Sequence, residues 1–239
     1  YFSSPGKGGI LEKFDWNNNL IWQYLISTNT INSHHDFKSL PNGNVIAIVW
    51  EKIPVNDVIN AGRNPAFIGT GFMSEKIMEI QPVGPDSGIV VWEWKIFDHL
   101  VQHYDISKEN YGVISDHPEL ININFNTSTN QDWIHMNSVA YNEETDQIIL
   151  SAHNFNEIWV IDHSTTTSEA ASHTGGLYGK GGDLLYRWGN PAAYGRGTLP
   201  NGGKKLFGQH DALWIAAGLP NAGKILIFNN GVNRPAGAY

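Results

Sequence analysis

Three segments of the chain share one order: a histidine, a short run into a polar turn, and then an apolar, β-rich run. They are SHHDFKSLPNGNVIAIVWE from Ser33, DWIHMNSVAYNEETDQIILSAH from Asp132 and GQHDALWIAAGLPNAGKILIFNNG from Gly208. Their imidazoles are His35, His135 and His210. Such a period restricts the fold more than local propensity does, because each repeat is one unit that buries its apolar face against the next copy. A titratable residue kept at one register in every copy further implies a shared axis on which the imidazoles meet.

A second repeat lies between the first. Leu20-Ile21-Trp22-Gln23-Tyr24, Val90-Val91-Trp92-Glu93-Trp94 and Leu184-Leu185-Tyr186-Arg187-Trp188 all read apolar-apolar-aromatic-polar-aromatic. Each follows another alternating run, at Ile10–Asp15, Lys76–Ile80 and Glu157–Asp162. Alternation rich in β-branched and aromatic residues, punctuated by Asn-Gly and Gly-Pro, is the half-buried strand signal. Four antiparallel strands per repeat describe a β-propeller blade, so the expected class is all-β.

The 239 residues hold about three blades' worth. The expected division is 1–30 as the end of one blade, 31–98 as a blade and 99–131 as a long connection, then 132–190 as a blade and 205–239 as the start of the next. Propellers close with about four to eight blades, which makes this a portion of a longer propeller whose remaining blades come from the rest of the chain. The start at Tyr1 reads as a processed or partial product. A shorter closed barrel or sandwich is the alternative. The Ser/Thr/Gly-rich stretch 163–183 reads as a solvated spacer, and Asp98–Val101 as a short helical turn.

A net charge of −8 argues against a nucleic-acid or anionic-membrane surface. The chain has no Cys, which removes disulfides, thiolate metal sites and Cys nucleophiles. No run approaches the ~18 apolar residues of a membrane span. Nine Trp leave room for a non-catalytic propeller that binds glycans through aromatic surfaces, although most read as blade core.

The candidate constellation is His35, His135, Asn137, His153 and His210, with His34, Trp50 and Asn230 beside it as binding residues. Asn137 follows His135 by two, so alternation along a strand puts both on one face. Aligning the second strands of the repeats pairs Trp50, His153 and Asn230. Imidazole serves as nucleophile, acid or base, or metal ligand. The alternative metal set is His35, His135, His153 and His210, although no metal motif with recognised spacing occurs. His99, His103, His117, His163 and His173 read as structural donors and acceptors.

The motifs HHDF-x-x-LPNGN (His34 to Asn44), DWIHMNSV (Asp132 to Val139) and QHDA with GKILIFNNG (Gln209 to Gly231) resemble the arylsulfotransferase family. The resemblance runs from about residue 8 to 234 and implies a six-bladed propeller. It implies transfer of a sulfuryl group from a small phenolic sulfate donor to a phenol acceptor, without a cofactor. His210 would be the residue that becomes sulfated, His135 and Asn137 would hold the sulfuryl oxygens, and His35 (or its neighbour His34) would be a further active-site His. A periplasmic or secreted location is implied too, and a homodimer stays open. One residue departs from the pattern: His153 stands where the family has an active-site Arg, a permanent planar cation suited to a sulfate.

Overall fold

The computed structural model describes residues 9–197 and 200–236, so the opening of the first expected blade, residues 1–8, lies outside the described residues. The protein is all-β, with mostly antiparallel sheets and two short α-helices among the described residues. β1 (Ile10–Phe14) and β2 (Leu20–Leu25) form a hairpin. β3 (Ile31–Ser39), β4 (Val45–Lys52), β5 (Met73–Val83) and β6 (Ser87–Lys95) follow as a four-stranded antiparallel sheet in sequence order. β7 (Leu100–Val101) and β8 (Ile121–Asn122) pair in parallel within the long connection. A second four-stranded antiparallel sheet contains β9 (Met136–Asn142), β10 (Gln147–Ala152), β11 (Glu157–Asp162) and β12 (Tyr186–Trp188). β13 (Gln209–Trp214) and β14 (Ile225–Asn229) form the last hairpin.

Continuous apolar runs such as VIAIV arise because both faces of these sheets are covered. In β4, Val45, Ala47 and Val49 pack with Leu11 and Trp22 of the first hairpin. Ile46 and Ile48 of the same strand join the largest core, with Leu150, Trp159 and Ile161 of the second sheet. Ile149, Ile158 and Val160 turn the other way, toward Ala212 of the last hairpin. The four layers therefore stack in chain order, and each full burial of such a side chain contributes roughly 1.5–3 kcal/mol. Trp22, Trp92, Trp94, Trp133 and Trp159 are buried. Most of the tryptophan is thus structural, which removes the main support for an aromatic glycan-binding surface.

Two local expectations change. The helical turn expected at Asp98–Val101 is a 3₁₀ turn over Ile96–Asp98 that leads straight into β7, because Leu100 and Val101 are buried beside β8. The stretch 163–183 is no spacer: it packs onto β6. Trp92 Nε1 donates to Thr165 Oγ1 at 3.1 Å and Trp94 Nε1 donates to the Gly182 carbonyl at 2.7 Å. It holds a single helical turn. α1 spans Val55–Asn60 and α2 spans Thr167–Ala170, the latter started by a capping box between Thr166 and Glu169. Among the described residues no helix is long and apolar enough to cross a membrane.

Candidate active site

The first strands of three successive sheets lie side by side, β9 between β3 and β13. Asp36 Oδ2 accepts from the Val139 N–H at 2.9 Å, and Ser138 Oγ accepts from the Ala212 N–H at 2.9 Å. These two bonds have the same role at successive junctions, so Asp36 corresponds to Ser138 and Val139 to Ala212. Strand pairing agrees, with Phe37 opposite Ala47 and Val139 opposite Leu150. The repeated slot is therefore filled by His35, Asn137 and His210. His135 does not share it. It precedes β9 in a left-handed conformation, φ 57°, so alternation along a strand does not relate it to Asn137 either.

The imidazoles nevertheless converge, because bulges at the start of each first strand let the backbone turn inward. The register of β3 shifts between Ser33 and Phe37 and that of β13 between His210 and Leu213. Ring centroids are 4.5 Å apart for His35–His135, 5.4 Å for His135–His153 and 5.4 Å for His153–His210. His34 stacks on Trp50 at 3.8 Å and 9°. One unbroken file thus runs from Trp50 through His34, His35, His135 and His153 to His210, and Asn230 Oδ1 sits 2.7 Å from His210 Nδ1.

The members of the file differ in charge. Burial pushes His34 down to about 3, and burial together with His34 and His135 pushes His35 down to about 4, so both are neutral near pH 7. His135 is shifted up, chiefly by the hydrogen bond from its Nδ1 to Asp132 Oδ2. Asp132 also accepts from Trp50 Nε1 at 3.2 Å. Beneath the file lies Glu75, fully buried and pushed up to about 8 by desolvation and the Asp132 charge, hence protonated. Its Oε1 accepts the Met136 N–H at 2.7 Å and lies 3.3 Å from His34 Nε2, which has no hydrogen-bond partner.

At the far end the tautomers are set by acceptors. His210 Nδ1 faces the Gly208 carbonyl at 3.2 Å as well as Asn230 Oδ1. A carbonyl only accepts, so Nδ1 carries the hydrogen and Nε2 of the neutral ring carries the lone pair. His153 is arranged alike: its Nδ1 is 3.0 Å from Asn154 Oδ1, whose orientation is fixed because Asn154 Nδ2 donates to the Asp132 and Trp133 carbonyls. Gly208, at φ 68°, lets the chain pass close to His153; a Cβ there would meet the ring nitrogen Nε2 at 3.4 Å. Asn137 is buried, its Nδ2 donates to the Gln209 carbonyl at 2.8 Å, and its Oδ1 has no partner.

Trp50 therefore supports His34 from behind, rather than lining an open surface, and His34 is its buried partner while His35 is exposed. Asp132 and Glu75 were not singled out by sequence as site residues. Asp132 stands inside the DWIH motif three residues before His135, and Glu75 is one of three charges in the buried strand segment MSEKIMEI. Charges in a strand covered on both faces were the available signal. Beside His34 and His35 a cavity of about 390 Å³ is lined by Ile10, Leu11, Phe14 and Phe37 among others. A larger cavity, about 480 Å³, lies between Val160, Tyr186 and Trp214 and contains none of the imidazoles. The alternative metal set is not assembled: among the described residues, the group whose ligand atoms close on one another is His99, His173 and Asp183, not His35, His135, His153 and His210.

The family model described as Arylsulfotransferase (ASST) matches residues 6–238. The chain belongs to the arylsulfotransferase family. No curated protein sequence matches it. In this arylsulfotransferase-family chain, the position where the resemblance expects Arg is His153, placed between His135 and His210 in the file.

Proposed function

We propose that the protein is an aryl-sulfate sulfotransferase-like enzyme that passes a sulfuryl group from a phenolic sulfate ester to a phenol through a sulfated His210. The observation that carries this reading is the tautomer of His210, whose Nε2 lone pair is freed by the Gly208 carbonyl and Asn230. Nε2 attacks sulfur, the N–S bond forms, and the S–O bond to the aryl oxygen breaks with its electron pair leaving on that oxygen. His135, whose hold on a proton is strengthened by Asp132, supplies a proton to the departing phenolate and then takes one from the acceptor phenol as it displaces SO3 from His210. A ring N–H of His135 stabilises the sulfuryl oxygens before that proton moves, part of the role the resemblance gives to an Arg. The stacked sheets and converging first strands favour a propeller completed by further blades, and the family favours an exported or periplasmic protein.

Turnover of a chromogenic aryl sulfate with a phenol acceptor tests the proposal. Without acceptor, one equivalent of phenol is released and one SO3 is found on His210 by peptide mass spectrometry. Absence of turnover, or an unchanged rate in His210→Ala, overturns it.

A further inference from the structure

A second cluster lies where the two long connections meet. His99 is completely buried, stacked on Trp94 at 5.7 Å and 8°, with Nε2 at 2.8 Å from the Ala170 carbonyl and Nδ1 at 2.8 Å from Asp183 Oδ1. His173 brings its own Nδ1 to the same carboxylate oxygen, also at 2.8 Å. The ring of His99 has no room to turn: a Cβ on Gly182 would meet Ala170 O at 2.0 Å and His99 Nε2 at 2.5 Å, so glycine is required there.

Proton counting shows why this is more than an ion pair. The Ala170 carbonyl only accepts, so His99 Nε2 carries a hydrogen. For Nδ1 to donate to Asp183 as well, His99 would have to be a doubly protonated cation with no exposure to water, sharing its one carboxylate with a second imidazole. Burying such a charge is costly unless its compensation is complete. A divalent ion resolves the conflict. With Nε2–H given to a backbone carbonyl, the ring presents its Nδ1 lone pair, which is the outer-sphere arrangement that metal-binding histidines use to fix tautomer and raise basicity. The three donor atoms lie within 4.8 Å of one another.

We propose that His99 Nδ1, His173 Nδ1 and the Asp183 carboxylate bind a divalent transition-metal ion, with zinc best matched by two imidazoles and a carboxylate. The ion clamps residues 163–183, through His173 and Asp183, onto the connection that begins at His99. Solvent completes its coordination, because His173 is 60 % exposed while Asp183 is 9 % exposed.

The test is calorimetric titration of chelator-stripped protein with Zn²⁺, with Co²⁺ absorption as a second readout. His173→Ala is the informative variant, because an exposed side chain is removed without touching the core. Wild type takes up one equivalent with a rise in Tm, His173→Ala binds about tenfold or more weakly, and His210→Ala binds as wild type does. No uptake by wild type overturns the site, as does unchanged affinity in His173→Ala. Loss of binding in His210→Ala with retention in His173→Ala would place the ion in the imidazole file instead and equally refute the clamp.

Discussion

Replacing Glu75 by Gln tests the electrostatic basis of the site directly. Glu75 is fully buried and faces Asp132, His34, His135, Trp50 Nε1 and the Met136 N–H, and its carboxyl is pushed from 4.5 up to about 8. Between those pH values the unfolded carboxyl has lost its proton while the folded one keeps it. The native state then binds more protons, so this group's contribution to stability falls as pH rises. The slope approaches ~1.4 kcal/mol per pH unit and the whole window is worth on the order of 5 kcal/mol. Gln keeps the shape and the acceptor for Met136 but does not ionise. The stability of Glu75→Gln relative to wild type therefore grows from pH 5 to pH 8 and levels off above it. Urea unfolding followed by Trp fluorescence at pH 5, 6.5, 8 and 9 measures this difference. A difference that stays constant across the series would show that Glu75 is already ionised in the folded protein, and the description of His34 and Glu75 as a neutral pair would be wrong.

Asp132→Asn removes the carboxylate that holds His135 up, so the alkaline limb of the kcat/KM profile moves to lower pH and the rate at pH 7 falls about tenfold or more. Binding of a non-transferable aryl sulfonate strengthens as pH falls from 8 toward 5, because an anion beside His35 favours its protonated form; calorimetry showing no pH dependence refutes the linkage. Arg187→Met strands the completely buried Glu157, whose Oε1 accepts from Arg187 Nε at 3.1 Å, and costs roughly 3–5 kcal/mol in urea unfolding. The double variant with Glu157→Met recovers most of that loss.

The strand order was legible because its signals are local. The apolar run within Glu157–Asp162 and the Asn-Gly turn at Asn42-Gly43 each act within a few residues, and the all-β class follows from the repetition of such runs and turns. The convergence of the imidazoles was legible for a reason that was partly mistaken. His135 was matched to His35 and His210 because all three open a motif, yet backbone bonds at the junctions give that slot to Asn137. Bulges decide the register, and a bulge adds a residue without marking it in the sequence. Glu75 was hidden because its partners come from 57 and 61 residues downstream, at Asp132 and Met136, and no spacing rule links them. The same holds for His99 and Asp183, which meet only because the 163–183 stretch folds back over β6.

If the proposed sulfotransfer holds, His153 in the position where the resemblance expects Arg changes what kind of anion site this would be. Arg would give a permanent charge, independent of pH and of occupancy. The file of imidazoles instead contains members that are neutral when empty, His34 and His35, beside His135, whose hold on a proton Asp132 strengthens. In the proposed reaction an arriving sulfate ester would draw protons into the file rather than meet fixed charge. That arrangement grips the ground state less tightly than an Arg does. It also leaves mobile protons next to the aryl oxygen, where the reaction generates negative charge and a donor lowers the barrier. On this logic the loss of Arg moves stabilisation from binding toward proton transfer, and the Asp132–His135 pair, more than His153 itself, takes over the electrostatic work.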